Sequence, residues 1–227
     1  KVVDKDLTVP EARTTSAETL EADMLKVLSD LNHASQKGLQ TIFDSSVGRS
    51  TVNHPIGGRY QITPTESSVQ KLPVQYGVTT TASVMAQGYN PYIAEWSPYH
   101  GAAYAVIEAT ARLVATGADW SRARFSYQEY FERMDKQAER FGQPVSALLG
   151  SIEAQIQFGL PSIGGKDSMS GTFEELTVPP TLVAFGVTTA DSRKVLSPEF
   201  KAAGENIYYI PGQAISEDID FDLIKAN

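Results

Sequence analysis

Apolar positions recur at the helical period in four stretches of the chain and cluster at strand spacing in four others. Leu20, Met24, Val27, Leu28 and Leu31 keep the three-to-four spacing. Thr15 and Glu18 precede them as a capping box, so a helix is predicted over 15–31. Ala102, Ala103, Val106, Ile107, Leu113 and Val114 form a broad apolar face behind Ser97 and Pro98. There the serine caps, the proline takes the first helical position and Gly117 stops the helix. Ser126 and Glu129 read as a second capping box, with Tyr130, Phe131, Met134, Ala138 and Phe141 inside and Gly142 as stop. Pro144 then opens a helix carrying Val145, Leu148, Leu149, Ile152 and Ile156 as far as Gly159.

Val74, Tyr76, Val78 and Val84 alternate with polar residues, the pattern of a half-buried strand. Residues 181–189 are apolar on both faces, which predicts a central strand covered twice. Short strands are expected at 39–43 and at 207–210, the latter closed by Pro211 and Gly212. Residues 1–14 are a polar arm. Residues 44–73 show little periodicity and are broken by Gly48, Pro55, Gly57, Gly58 and Pro64, so they read as a long loop. Helices and strands together give an α+β chain.

Composition narrows the function. The net charge is −8 and the pI about 4.9, which argues against non-specific nucleic-acid binding. No apolar run reaches the length of a membrane span. The chain has no cysteine, so disulfides, thiolate metal sites and cysteine nucleophiles are excluded; a reducing cytoplasm is compatible with this. The chain starts at Lys1 without a secretory signal and ends without a stop signal, so a piece of a longer polypeptide is expected.

Candidate chemistry lies in two places. Residues 159–171 hold four glycines, with Gly164, Gly165, Lys166, Asp167 and Ser168 at their centre. Glycines let backbone N–H groups approach an anion, and a lysine and a hydroxyl would add to such a nest. The stretch reads as a phosphate or nucleotide loop, or as an ordinary surface connection, which is the commoner meaning of so short a motif. It is not a GxxxxGK[ST] loop, because Gly165 stands where the lysine belongs. The second place is a polar ladder of His100, Tyr104, Glu108 and Arg112, each four residues apart. It reads as a site-facing stripe, with Glu108 able to hold a metal, or as a solvent-facing pair of Glu108 with Arg112. No catalytic residue is assigned.

Several stretches in order resemble phosphoribosylformylglycinamidine synthase, in the second of its two internal halves. They are Leu72-Pro73-Val74 through Thr80-Thr81-Ala82-Ser83, Val106-Ile107-Glu108-Ala109-Thr110, Gly165-Lys166-Asp167-Ser168-Met169-Ser170 and Pro179-Pro180-Thr181-Leu182-Val183. Residues 34–47 look like the junction before that half. The resemblance implies a fold like the N-terminal domain of aminoimidazole ribonucleotide synthetase: a mixed sheet flanked by helices on one face, pairing with a second copy into a barrel. It implies a linker and terminal helix of a preceding domain over 1–40, the synthetase-like domain over 41–212 and the start of another domain over 213–227.

The activity implied is that of a cytoplasmic purine-biosynthesis ligase. It uses ATP, Mg2+ and glutamine-derived ammonia to convert formylglycinamide ribonucleotide to the formylglycinamidine. The partners implied are the remaining domains and the ribonucleotide, with no nucleic acid and no membrane. By itself the piece is expected to be inactive and to self-associate through a bare sheet edge. Two positions depart from relatives: Tyr76 stands for an aspartate ligand and Arg112 for an asparagine ligand of a second, non-catalytic magnesium nucleotide site. The alternatives are a structural half that binds no nucleotide, or another ATP-binding member of the superfamily, such as a selenophosphate synthetase or thiamine phosphate kinase. The glycine-rich and aspartate motifs of those enzymes are not found here.

Overall fold

The computed structural model describes residues 16, 18–31, 33–35, 37–43, 50–210 and 213–227. In chain order it forms α1 (Leu20–Ser29), α2 (Lys37–Phe43), β1 (Thr51–Asn53), β2 (Ile56–Gly57), β3 (Thr63–Pro64), β4 (Ser68–Lys71) and β5 (Thr81–Gly88). There follow α3 (Pro91–Trp96), α4 (Pro98–Ala115), β6 (Arg124–Tyr130), α5 (Ala138–Phe158) and β7 (Ser162–Lys166). The chain ends with β8 (Thr172–Phe173), β9 (Leu176–Thr177), β10 (Thr181–Asp191) and α6 (Phe221–Ala226). Six strands make one mixed sheet in the order β1-β4-β5-β10-β6-β7. Only β6 and β7 run parallel; the other pairs are antiparallel.

One face of this sheet carries the core. On β5, Ala82, Val84 and Ala86 point inward; on β10, Leu182 and Ala184; on β6, Phe125 and Tyr127. The helix α4 lies on β5 and β10, and α5 lies on α4. Small residues set how close these layers come. A Cβ on Gly88 would stand 2.0 Å from the Ala105 carbonyl oxygen of α4, and one on Gly150 would stand 1.9 Å from that of Tyr99. The other face of the sheet is open. Met85, Tyr130 and Val187 point out from it and are well exposed. The strand at 181–189 is therefore central, as expected, but covered on one side only.

Several sequence expectations fail for identifiable reasons. The helix expected from Ser126 to Phe141 is replaced by β6. Phe125, Tyr127 and Glu129 alternate inward there, and pairing with β10 along the whole strand overrides a local capping signal. The next helix begins at Ala138, before Gly142 and Pro144, and runs through both. The alternating stretch 74–84 is a strand only from Thr81 onward; Tyr76 and Val78 are almost fully exposed. The described part of the long loop, 50–73, contains β1 to β4. Residues 39–43 belong to the helix α2 rather than a strand. Residues 207–210 form no ladder and are exposed, and Pro211 and Gly212 lie outside the described residues. The Thr15 cap also lies outside them; α1 begins at Leu20 and buries nothing. The 97–117 helix stands as expected, with Ser97 Oγ accepting from the His100 N–H and Gly117 at φ 83°.

Candidate functional site

Part of the glycine-rich stretch is an edge strand, which takes in Gly164, Gly165 and Lys166, while Asp167 and Ser168 follow it outside any strand. Ser162–Lys166 pairs with β6, and all five residues are exposed. Gly164 sits at φ 149° in open space, while a Cβ on Gly165 would come 2.9 Å from the Tyr127 carbonyl oxygen. Beyond the strand the pairing continues: the Ser168 N–H donates to the Glu129 carbonyl and the Phe131 N–H to the Ser168 carbonyl. The Gly171 N–H donates to Phe131 in turn. The Ser168 and Gly171 N–H groups are thus committed to the Glu129 and Phe131 carbonyls and are not gathered into a concave nest. Lys166 holds its ammonium 5.8 Å from the centre of the Tyr130 ring, a cation–π distance. Among the described residues it has no carboxylate partner.

Glu129 lies beneath this strand end, a buried carboxyl on the inward face of β6. Its Oε1 has no hydrogen-bond partner. Burial, with the Asp167 carboxylate as a lesser cause, pushes its pKa up to about 7. The hydroxyl of Tyr127, two residues earlier on the same face, is also buried and unpartnered, and burial raises its pKa. Sequence reasoning missed Glu129. Its one signal, a charged residue in register with inward aromatic positions, appears only when 124–130 is read as a strand.

The polar ladder divides into two halves. His100 and Tyr104 hold the C-terminal segment. The Glu217 carbonyl can only accept, so His100 Nε2 carries a proton for that 2.9 Å bond, while Nδ1 lies 2.8 Å from Ser97 Oγ. The Ser216 N–H donates to the Tyr104 hydroxyl, and Phe221 packs edge-on against Phe158. The other half forms a cluster. Arg112 Nη2 donates to Glu108 Oε1 at 2.7 Å, and its Nε lies 3.1 Å from Glu66 Oε2. Glu108 Oε2 accepts the Tyr89 N–H at 2.8 Å. Glu66 comes from the chain before β4, and no spacing in the sequence links it to Arg112.

Arg112 and Glu66 border a cavity of about 590 Å³. Its other walls are mainly amides and hydroxyls, among them Asn53, Gln70, Gln87 and Ser68. The two candidate groups share one end of the sheet. Tyr89, at the end of β5, meets the Thr181 hydroxyl at 3.0 Å; Thr181 is in register with Tyr130, over which Lys166 sits. Three strand spacings separate β5 from β7, or about 14 Å.

The donor set is a poor one for a magnesium ion. Both oxygens of Glu108 already accept a hydrogen bond, one of them from a guanidinium, and a cation beside Arg112 would meet its charge. Among the described residues no three His, Asp or Glu side chains are grouped to hold a metal.

No family model matches the chain. Two curated relatives do. The phosphoribosylformylglycinamidine synthase subunit PurL of Pyrococcus furiosus is 29% identical over 148 residues, 63% of this chain and 19% of the relative. That of Methanothermobacter marburgensis is 29% identical over 189 residues, 82% of this chain and 24% of the relative. Solved structures agree in fold. The Thermotoga maritima PurL complexed with FGAR covers 73% of this chain at 19% identity, with a TM-score of 0.57 and 25% of its own length matched. The complex of the same protein with AMPPCP covers 75% at 17% identity, also with a TM-score of 0.57 and 27% of its length.

The chain is PurL-like.

The PurL-like region spans about a fifth to a quarter of the length of the curated relatives it matches. Its α+β architecture, with a mixed sheet and helices on it, is the PurL fold over the matched residues. No helix among the described residues is long and apolar enough to cross a membrane.

Proposed function

We propose that this chain is one module of an ATP-dependent ligase of purine biosynthesis, acting with further domains on formylglycinamide ribonucleotide and glutamine-derived ammonia in the cytoplasm. The observation that supports this best is the sheet. It is PurL-like in fold, and its outer face exposes Met85, Tyr130 and Val187 across three adjacent strands. A sheet of this kind would pair with the sheet of a similar module into a barrel, which covers that apolar face and the bare edge at β7. Residues 41–212 would be the module itself. Helix α1, which buries nothing, would end the preceding domain, and 213–227 would lead into the next.

Bound ATP would supply the phosphoryl group that activates the amide oxygen. Of this chain's residues, Lys166 and Ser168, with the side-chain-free backbone of Gly164 and Gly165, would contact phosphate; Asp167 stands beside them. Arg112, held by Glu108 and Glu66, would take the place of a cation at the second site. The alternative is a half that binds no nucleotide, favoured by the commitment of the Ser168 and Gly171 N–H groups to the Glu129 and Phe131 carbonyls.

The test is Lys166→Ala in the longer protein, with formylglycinamidine formation as the readout. Lys136 is exposed just before α5 and serves as the control. Lys166→Ala is expected to lower activity at least tenfold, about 1.4 kcal/mol in the barrier, and Lys136→Ala to leave it unchanged. Equal activity of the two variants would remove the phosphate contact and leave the structural half.

A further inference from the structure

The helix α5 is turned the opposite way from what its apolar pattern suggests. Its inward positions are Pro144 and the small residues Ala147, Gly150, Ser151 and Ala154. Its large apolar residues, Phe141, Val145, Leu148, Leu149, Ile152 and Ile156, point outward and are each between 43% and 69% exposed. Nothing among the described residues covers them. They lie on one side of the helix over sixteen residues, a stripe about 22 Å long.

The stripe is symmetric about its own midpoint. Leu148 and Leu149 flank the centre, Val145 and Ile152 lie three residues beyond them, and Phe141 and Ile156 seven residues beyond. Two antiparallel copies of α5 would therefore set Leu148 against Leu149, Val145 against Ile152 and Phe141 against Ile156. The charges permit it. In that register Glu153 faces Pro144, Arg140 faces Gln157 and Glu139 faces Phe158, so no acidic residue meets another. A groove of about 460 Å³ lies beside Ile156, between α5 and the start of β7, and is lined by Ile152, Leu160 and Pro161. It opens where the second copy's Phe141 would arrive. An aromatic anchor entering an apolar pocket is the usual centre of binding energy at an interface.

We propose that α5 is a twofold self-association surface, on which the occupant is α5 of a second copy of this chain packed antiparallel. In that register apolar residues meet apolar residues at every pair of the stripe, so the patch complements itself as an isologous contact must. This surface lies across the molecule from the open sheet face and does not depend on the ligase reading. A contact built mainly on one helix is at the small end of specific interfaces, so the dimer is expected at roughly tens of micromolar and above.

The absence of native cysteine allows a direct test on the 227-residue chain. Facing positions near a twofold axis can approach within disulfide range, whereas positions at the ends of an antiparallel pair cannot meet their own copies. Under mild oxidation Leu149→Cys is expected to give a covalent dimer and Phe141→Cys to give none. Phe141→Cys combined with Ile156→Cys is expected to restore it. In sedimentation, Ile152→Glu should abolish the dimer, and Met85→Glu on the sheet face should leave it intact. Ile152 is half exposed, so the substitution does not empty the core; circular dichroism checks the fold, and Leu149→Lys is the second disrupting variant. A chain that stays monomeric at several hundred micromolar would overturn the proposal. So would a dimer that survives both disrupting variants, or one lost on Met85→Glu. Loss of the dimer on deleting residues 1–31 would assign the contact to the exposed face of α1 and overturn it as well.

Discussion

A buried carboxyl without a partner is unstable as an anion, and Glu129 is the residue here that pH should reveal. Its pKa of about 7 in the folded chain stands above its ordinary value of 4.5. Between those values the folded form holds a proton that the unfolded form has lost, so stability falls as pH rises through that window. The full effect is roughly 3 kcal/mol at pH 8. Glu129→Gln removes the charge and keeps the shape. Urea unfolding is expected to show the variant matching the parent at pH 4 and exceeding it at pH 8; a difference unchanged with pH would argue against the assignment. Arg112 carries the second prediction at this scale. On the proposed reading of a second nucleotide site, with Glu108 already paired to Arg112, ADP binding to a longer protein whose other half is disabled should be the same with and without magnesium. Calorimetry decides it, and Arg112→Asn is expected to make binding depend on magnesium. Strict magnesium dependence in the parent would count against the guanidinium as the cation's replacement.

At the scale of elements, the spacing of α4 and α5 rests on glycine. The two glycines of α5 make opposite predictions. Gly150→Ala drives a methyl into the Tyr99 carbonyl, backbone that cannot swing aside, and is expected to cost about 1–3 kcal/mol. Gly142 has nothing within 4 Å of its would-be Cβ, so Gly142→Ala is expected to stabilise by about 0.5–1 kcal/mol through helix propensity. Denaturant midpoints measure both, and a shift of the same sign in the two variants would refute this packing. The elements also show where the sequence was legible. Ser97, Pro98 and Gly117 bound α4 because caps act locally and their partners lie within one turn. Ser126 and Glu129 give the same local signal and yet lie in a strand, because seven residue pairs with β10 outweigh one cap.

For the whole molecule, the two candidate groups meet the same sheet end from different elements, one through α4 and β4, the other through β7. Neither forms a closed site in this chain: Lys166 is on an exposed edge, and the Arg112 cavity opens toward the sheet face. The isolated 227-residue chain is therefore expected to form no formylglycinamidine from the ribonucleotide, ATP and ammonia. A chromatographic assay would detect it, and turnover by the chain alone would contradict the modular reading.

The sequence by itself determined the α+β class, the ends of the 97–117 helix, the reach of Arg112 to Glu108 and the resemblance to PurL. Each of these depends on residues within a few positions of one another or on an ordered set of short matches. Tertiary structure alone decided that part of the glycine stretch is an edge strand, that Glu66 joins Arg112, that Glu129 is buried, and that His100 holds Glu217. It also decided which face of α5 is inside. Periodicity shows that one side of a helix is apolar; it does not show which side a close neighbour admits. A Cβ at Gly150 would stand 1.9 Å from the Tyr99 carbonyl oxygen, so that side admits small residues and the large ones, Phe141, Leu148, Leu149 and Ile156 among them, turn toward solvent.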